Sequence, residues 1–159
     1  MVTLPQLIEE DIQRLDGALR EFISQTDATA ALIIDKGGFL ITHQGDSSRL
    51  DVTTLGALAS GAFMANQTIA GLVNETNFNS VYQQGEKSSL LVVNIDEHCL
   101  LIVIFSANVG VGVMKYYASG AIRKIAGQLA TARKRNPDGG YDLSALNLAD
   151  SESLFRKKI

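Results

Sequence analysis

The chain has no tryptophan, one cysteine, two prolines and two histidines among its 159 residues. A lone cysteine, Cys99, excludes an internal disulfide framework and leaves too few thiolates for a structural zinc site. Aromatic residues make up 6% of the chain and the formal net charge is −3. There is no basic stripe interleaved with Phe or Tyr, so nucleic acid is excluded as the expected partner. The N-terminus, MVTLPQLIEEDIQ, lacks the basic start and apolar run of a signal peptide. Apolar runs such as Cys99–Phe105 are far too short to cross a bilayer. The chain reads as soluble and cytoplasmic, with no membrane insertion.

Residues that carry chemistry are equally sparse. His43 falls at a strand end and His98 at a hairpin turn, neither within a metal-ligand spacing. Both read as surface residues. Cys99 has nothing cationic beside it to lower its pKa and reads as a small core residue. Gly110-Val111-Gly112-Val113-Met114-Lys115 follows a strand and opens a helix, as a phosphate loop does. It lacks the third glycine of a dinucleotide fingerprint and the Gly-Lys-Ser/Thr ending of a P-loop, so it reads as a joint. The expectation is no enzyme: no catalytic residue, no cofactor and no metal.

What the chain does have is apolar residues, at 46%, and fourteen glycines. Several of those glycines fall in one stretch, Asp51–Thr76, which reads as a long helix capped by Asp51. Leu55, Leu58, Ala62, Ala65, Ile69 and Leu72 recur at helical spacing and are expected to face the core. Gly56, Ala57, Ser60, Gly61, Ala65, Thr68 and Gly71 are small, and after the capping Asp51 no charge appears before Glu75. A solvated face would carry Lys and Glu. Each interior glycine costs roughly 1 kcal/mol against alanine. Such a helix is either fully internal or meets a partner on its second face, and the partner reading fits a chain of this size better.

The remaining elements read in order. Pro5–Gln25 is an amphipathic helix with Ile8, Ile12, Leu15, Leu19 and Phe22 on one face. Thr29–Asp35 and Phe39–His43 form a hairpin across Lys36-Gly37-Gly38. Phe78–Gln84 is short and polar, so it belongs at a sheet edge, where it is open to pairing with a second copy. Ser88–Ile95 and Cys99–Phe105 are the strongest strands, joined at Asp96-Glu97. The second is apolar on both faces and belongs mid-sheet. Val109–Lys134 is the last helix, with cations near its C-terminus. Asn136-Pro137-Asp138-Gly139-Gly140 stops regular structure. The fold class is α+β: a five-stranded antiparallel sheet flanked by helices on both faces, order α-β-β-α-β-β-β-α. Residues 5–135 are the expected domain and 136–159 a flexible C-terminal tail.

This order, together with LIIDKGGFLITHQG, TLGALASGAFMANQTIAGLVNE, FNSVYQQGEKSSLLVVNI and LLIVIFSANVGVGVMKYYA, resembles the Roadblock/dynein light chain superfamily, profilin-like in fold. It is most similar to bacterial MglB-type Roadblock proteins. The resemblance implies a dimer, with itself or with a paralogue, formed through the central helix and third strand. It further implies a small Ras-like GTPase as partner, in cell polarity or motility. Hydrolysis would be accelerated by remodelling the GTPase's own site, without an inserted arginine. Candidate dimer or partner residues are Gly56, Ala59, Ser60, Gly61, Phe63, Met64, Asn66, Gln67, Ala70, Phe78, Val81 and Tyr82. MglB-type tails are acidic near an apolar pair. Asp150, Glu152, Leu154 and Phe155 match that pattern, and Arg156-Lys157-Lys158 departs from it.

Two readings follow from the same dimer. One is a noncatalytic regulator of a GTPase. The other is a structural adaptor or light chain that leaves GTP hydrolysis unchanged. A small-molecule sensor is disfavoured, because the sheet faces are uniformly apolar with no convergent polar groups in the sequence pattern.

Overall fold

Residues Cys99–Ser106 carry apolar side chains on both faces of a strand, so both faces must be covered. In the computed structural model, which describes residues 5–135, this strand, β5, lies at the centre of the sheet. Cys99, Leu101, Val103 and Phe105 enter one apolar cluster, and Leu100, Ile102 and Ile104 enter the other. The sequence expectations for the tail and for its acidic, apolar and basic clusters fall outside the described residues.

The remaining elements are α1 (Glu9–Thr26), β1 (Ala30–Asp35), β2 (Leu40–Gly45), α2 (Val52–Leu72), β3 (Ser80–Gln84), β4 (Ser88–Asn94) and α3 (Val111–Arg135). The sheet order is β2-β1-β5-β4-β3 and all four pairings are antiparallel. The expected element order, central strand and polar edge strand are therefore present. α1 and α3 cover one face of the sheet through Leu15, Leu19, Phe22, Met114, Ile125 and Leu129. α2 covers the other face.

Several boundaries differ from the sequence reading. α1 begins at Glu9 rather than Pro5, because Ile8 is extended and its N–H donates to the Asp11 carboxylate at 2.9 Å. α2 ends at Leu72 rather than Thr76. Asn74 there adopts a left-handed conformation (φ 63°), and the Glu75 N–H closes on the Ala70 carbonyl at 2.8 Å. Its start is as expected, with Asp51 accepting from the Thr54 N–H at 3.0 Å.

The two helices of one layer are locked at their ends by polar contacts. Asp11 is fully buried and accepts from Gln128 Nε2 at 2.7 Å and from both terminal nitrogens of Arg135, at 2.8 and 3.0 Å. The Arg135 hydrogen bond is the main reason its carboxyl is held far below the usual carboxylate range. At the same end of α3, Arg133 donates to Asp96 Oδ2 at 3.1 Å. The other oxygen of Asp96 accepts from the His98 and Cys99 N–H groups, forming the β4–β5 turn. Cys99 is enclosed, and burial pushes its thiol up to about 12.

Asp11→Asn should lower the unfolding free energy by about 2–3 kcal/mol, as expected for hydrogen bonds to a charged group. A carboxylate depressed in the folded state stabilises fully above its unfolded pKa, about 4, and loses that contribution as pH falls towards the folded value. In denaturant titrations at a series of pH values, the gap between the variant and the parent chain should hold above that point and narrow below it.

Candidate functional site

α2 carries no charged residue from Val52 to Leu72, so no side chain fixes its outward face in water. Its orientation is set by where it can approach the sheet. The buried residues are Gly56, Ala59, Ser60, Phe63 and Ala70. A Cβ on Gly56 would stand 3.1 Å from Ile34 Cγ2. Gly38, held at φ 96°, would place one 3.2 Å from the Ala57 Cα. Ser60 Oγ donates to the Lys36 carbonyl at 2.7 Å. Small residues on this side let helix and sheet close to van der Waals contact.

Phe63 and Leu55 take the room that remains against the sheet, and the other bulky residues turn outward. Leu58 is 68% exposed, Ile69 46%, Leu72 79% and Met64 50%. This corrects the expected core stripe: of its six members only Leu55 packs against the core cluster. The sequence reading ranked apolar bulk above fit, and the sheet face is already filled by Leu32, Ile34, Val92, Leu100 and Ile102.

The twelve candidate interface residues separate accordingly. Gly56, Ala59, Ser60, Phe63 and Ala70, expected at a dimer or partner interface, are buried within the protomer. Gly61 and Met64 are exposed on α2. Asn66 donates to the Ala62 carbonyl at 2.8 Å, and Gln67 donates to the Phe78 carbonyl at 2.8 Å, tying α2 to the start of β3. Val81 and Tyr82 point to opposite faces of β3. Val81 packs against the α2-side cluster, whereas Tyr82 stacks on Phe105 at 6.1 Å beneath the other layer. Leu58, Ala65, Ile69 and Leu72 were not among the twelve; the signal for them was a helix apolar around its whole circumference.

Beside the α2 ridge lies an open groove of about 580 Å³. Phe63, Met64 and Gln67 of α2 form one wall, with Lys36 at one end, its Nζ 6.0 Å from the Phe63 ring centroid. Asn77, Phe78 and Asn79 lead into β3, and Asn94, Asp96 and Glu97 come from the β4–β5 turn. This corrects the expectation of no convergent polar groups. Four carboxamides, an ammonium and two carboxylates converge on two aromatic rings. They were not legible because α2, the end of β4 and three separate connections supply them. No group of three or more His, Cys, Asp or Glu is placed to hold a metal ion among the described residues. No helix among them is long and apolar enough to cross a membrane.

A family model described as the Roadblock/LC7 domain matches residues 15–105, more than half of the chain. The chain belongs to the Roadblock/LC7 family. A structure of MglB with a tetrameric arrangement superposes with a TM-score of 0.76 at 27% identity, covering 83% of this chain and 99% of that one. The gliding protein MglB of Thermus thermophilus superposes at 0.73 with 28% identity, covering 82% and 99%. By sequence, the uncharacterized protein MJ1340 of Methanocaldococcus jannaschii is 27% identical over 111 residues, 70% of this chain and 96% of that protein. This Roadblock/LC7 chain thus carries its fold with an uncharged, apolar central helix turned outward.

Gly61 lies on that outward face and has nothing within 4 Å of where a Cβ would stand. Gly61→Glu should therefore leave the protomer folded, with unchanged circular dichroism. If two copies meet on this face, the buried charge should weaken self-association by on the order of 100-fold or more. Sedimentation equilibrium on parent and variant reads this directly.

Proposed function

We propose that this protein is a noncatalytic dimeric regulator of a small Ras-like GTPase, serving cell polarity or motility. The observation that carries the reading is the outward face of α2, where Leu58, Ile69 and Leu72 stand in water in the isolated chain. A ridge this apolar is stable in solution when it is covered. A second copy would cover part of it, with β3 as the adjoining edge, and the paired helices would form a platform. A dimer of this kind buries about 1,200–2,000 Å² in total. Gly61, Met64, Ala65 and the Leu58–Ile69–Leu72 ridge are its candidate contacts. One of the similar MglB structures has a tetrameric arrangement, so an assembly larger than the dimer is a variant of the same reading.

The platform brings no charged side chain from α2 to a nucleotide. Its effect on a GTPase then comes from preference for one conformation. A 100-fold preference corresponds to about 2.7 kcal/mol and shifts a two-state equilibrium by that amount. The absence of charge on α2 is equally what an adaptor or light chain needs, and turnover separates the two readings.

The test is co-purification with a Ras-like protein loaded with a GTP analogue or GDP, followed by GTP turnover with and without this chain. A regulator binds one nucleotide state preferentially and raises turnover. Binding with unchanged turnover selects the adaptor. No binding in either state removes the GTPase reading.

A further inference from the structure

The groove between α2 and the β4–β5 turn shares Met64 with the proposed dimer ridge and is otherwise built from side chains that the ridge does not use. We propose that it is a docking site for this chain's own C-terminal segment, Leu154-Phe155-Arg156-Lys157-Lys158. Three observations support that occupant.

The first is where α3 ends. Arg133 is 3.1 Å from Asp96, and Asp96 is part of the groove rim. Arg135 is clamped by Asp11, so the helix end is fixed beside the groove. The second is reach. Asn136-Pro137-Asp138-Gly139-Gly140 carries helix-stopping residues, and a coil of the length of residues 136–153 spans roughly 20–25 Å. A flexible tether of that length would present its end to the groove at an effective concentration in the millimolar range, so a weak site would suffice.

The third is chemical match. Phe63, Phe78 and Met64 offer an apolar floor and wall to Leu154 and Phe155. Glu97, whose side chain is 93% exposed, carries the acidic end that Arg156, Lys157 and Lys158 complement. The carboxamides of Asn77, Asn79 and Asn94 suit the N–H and C=O groups of an extended peptide.

The full chain tests this without truncation. Cys99 is enclosed, so Ser151→Cys provides the accessible thiol for a spin label. Docking predicts paramagnetic broadening of the Met64 methyl well above that of the Met114 methyl, which is buried under the opposite face of the sheet. The effect should persist when labelled chain is diluted into excess unlabelled chain. It should fall at least severalfold in Phe155→Ser and in Glu97→Lys. Equal broadening at the two methyls, or insensitivity to both substitutions, overturns the proposal and leaves the groove for a separate protein. Loss on dilution also overturns it, and assigns the groove to the segment of a second copy. No arm involves a GTPase, so the result stands apart from the regulatory reading.

Discussion

The close approach of α2 to the sheet governs the rest of this molecule. Gly56 against Ile34, Gly38 against Ala57, and the Ser60 hydroxyl on the Lys36 carbonyl fix the helix within contact distance of a filled sheet face. Volume then decides orientation, because closely packed interiors accept small residues where large ones would force strain. Leucines and isoleucine are displaced to the outside, and a helix that would otherwise be a core element becomes a surface with an unmet need for cover. The exposed apolar surface is a consequence of how the core is packed.

The opposite layer works differently. α1 and α3 meet through conventional apolar faces and are pinned at one end by charge. Asp11 is buried with its four hydrogen-bond donors around it, and Asp96 organises a hairpin turn while gripping Arg133. Both anchors hold the last turn of α3. They define where α3 ends, and Arg133 in that last turn reaches Asp96 on the rim of the groove beside α2. One layer therefore offers an apolar ridge, and the other fixes the end of α3.

Much of the fold was legible. The alternation and double-faced apolarity of Cys99–Phe105 identify a central strand from period alone, and the polar Phe78–Gln84 stretch identifies an edge. The caps and breaks were less legible. The first turn of α1 depends on a bond between Ile8 and Asp11, and the end of α2 on a left-handed Asn74, neither visible in hydrophobic pattern. The candidate site was half legible. That α2 lacks a solvated face follows from its composition, but which side meets the sheet does not, because both sides are apolar and neither outweighs the other. The groove was invisible, since Lys36, Asn77 and Asp96 lie on separate connections.

The sequence by itself determined the order of elements and the unusual bareness of the central helix, because each rests on local period or composition, and its resemblance to known chains pointed to the Roadblock/LC7 family. The tertiary structure alone decided which residues of that helix are core and which are surface. Burial is settled by the shape of the opposing sheet, whose side chains arrive from β1, β4 and β5, and no periodicity within α2 encodes that shape.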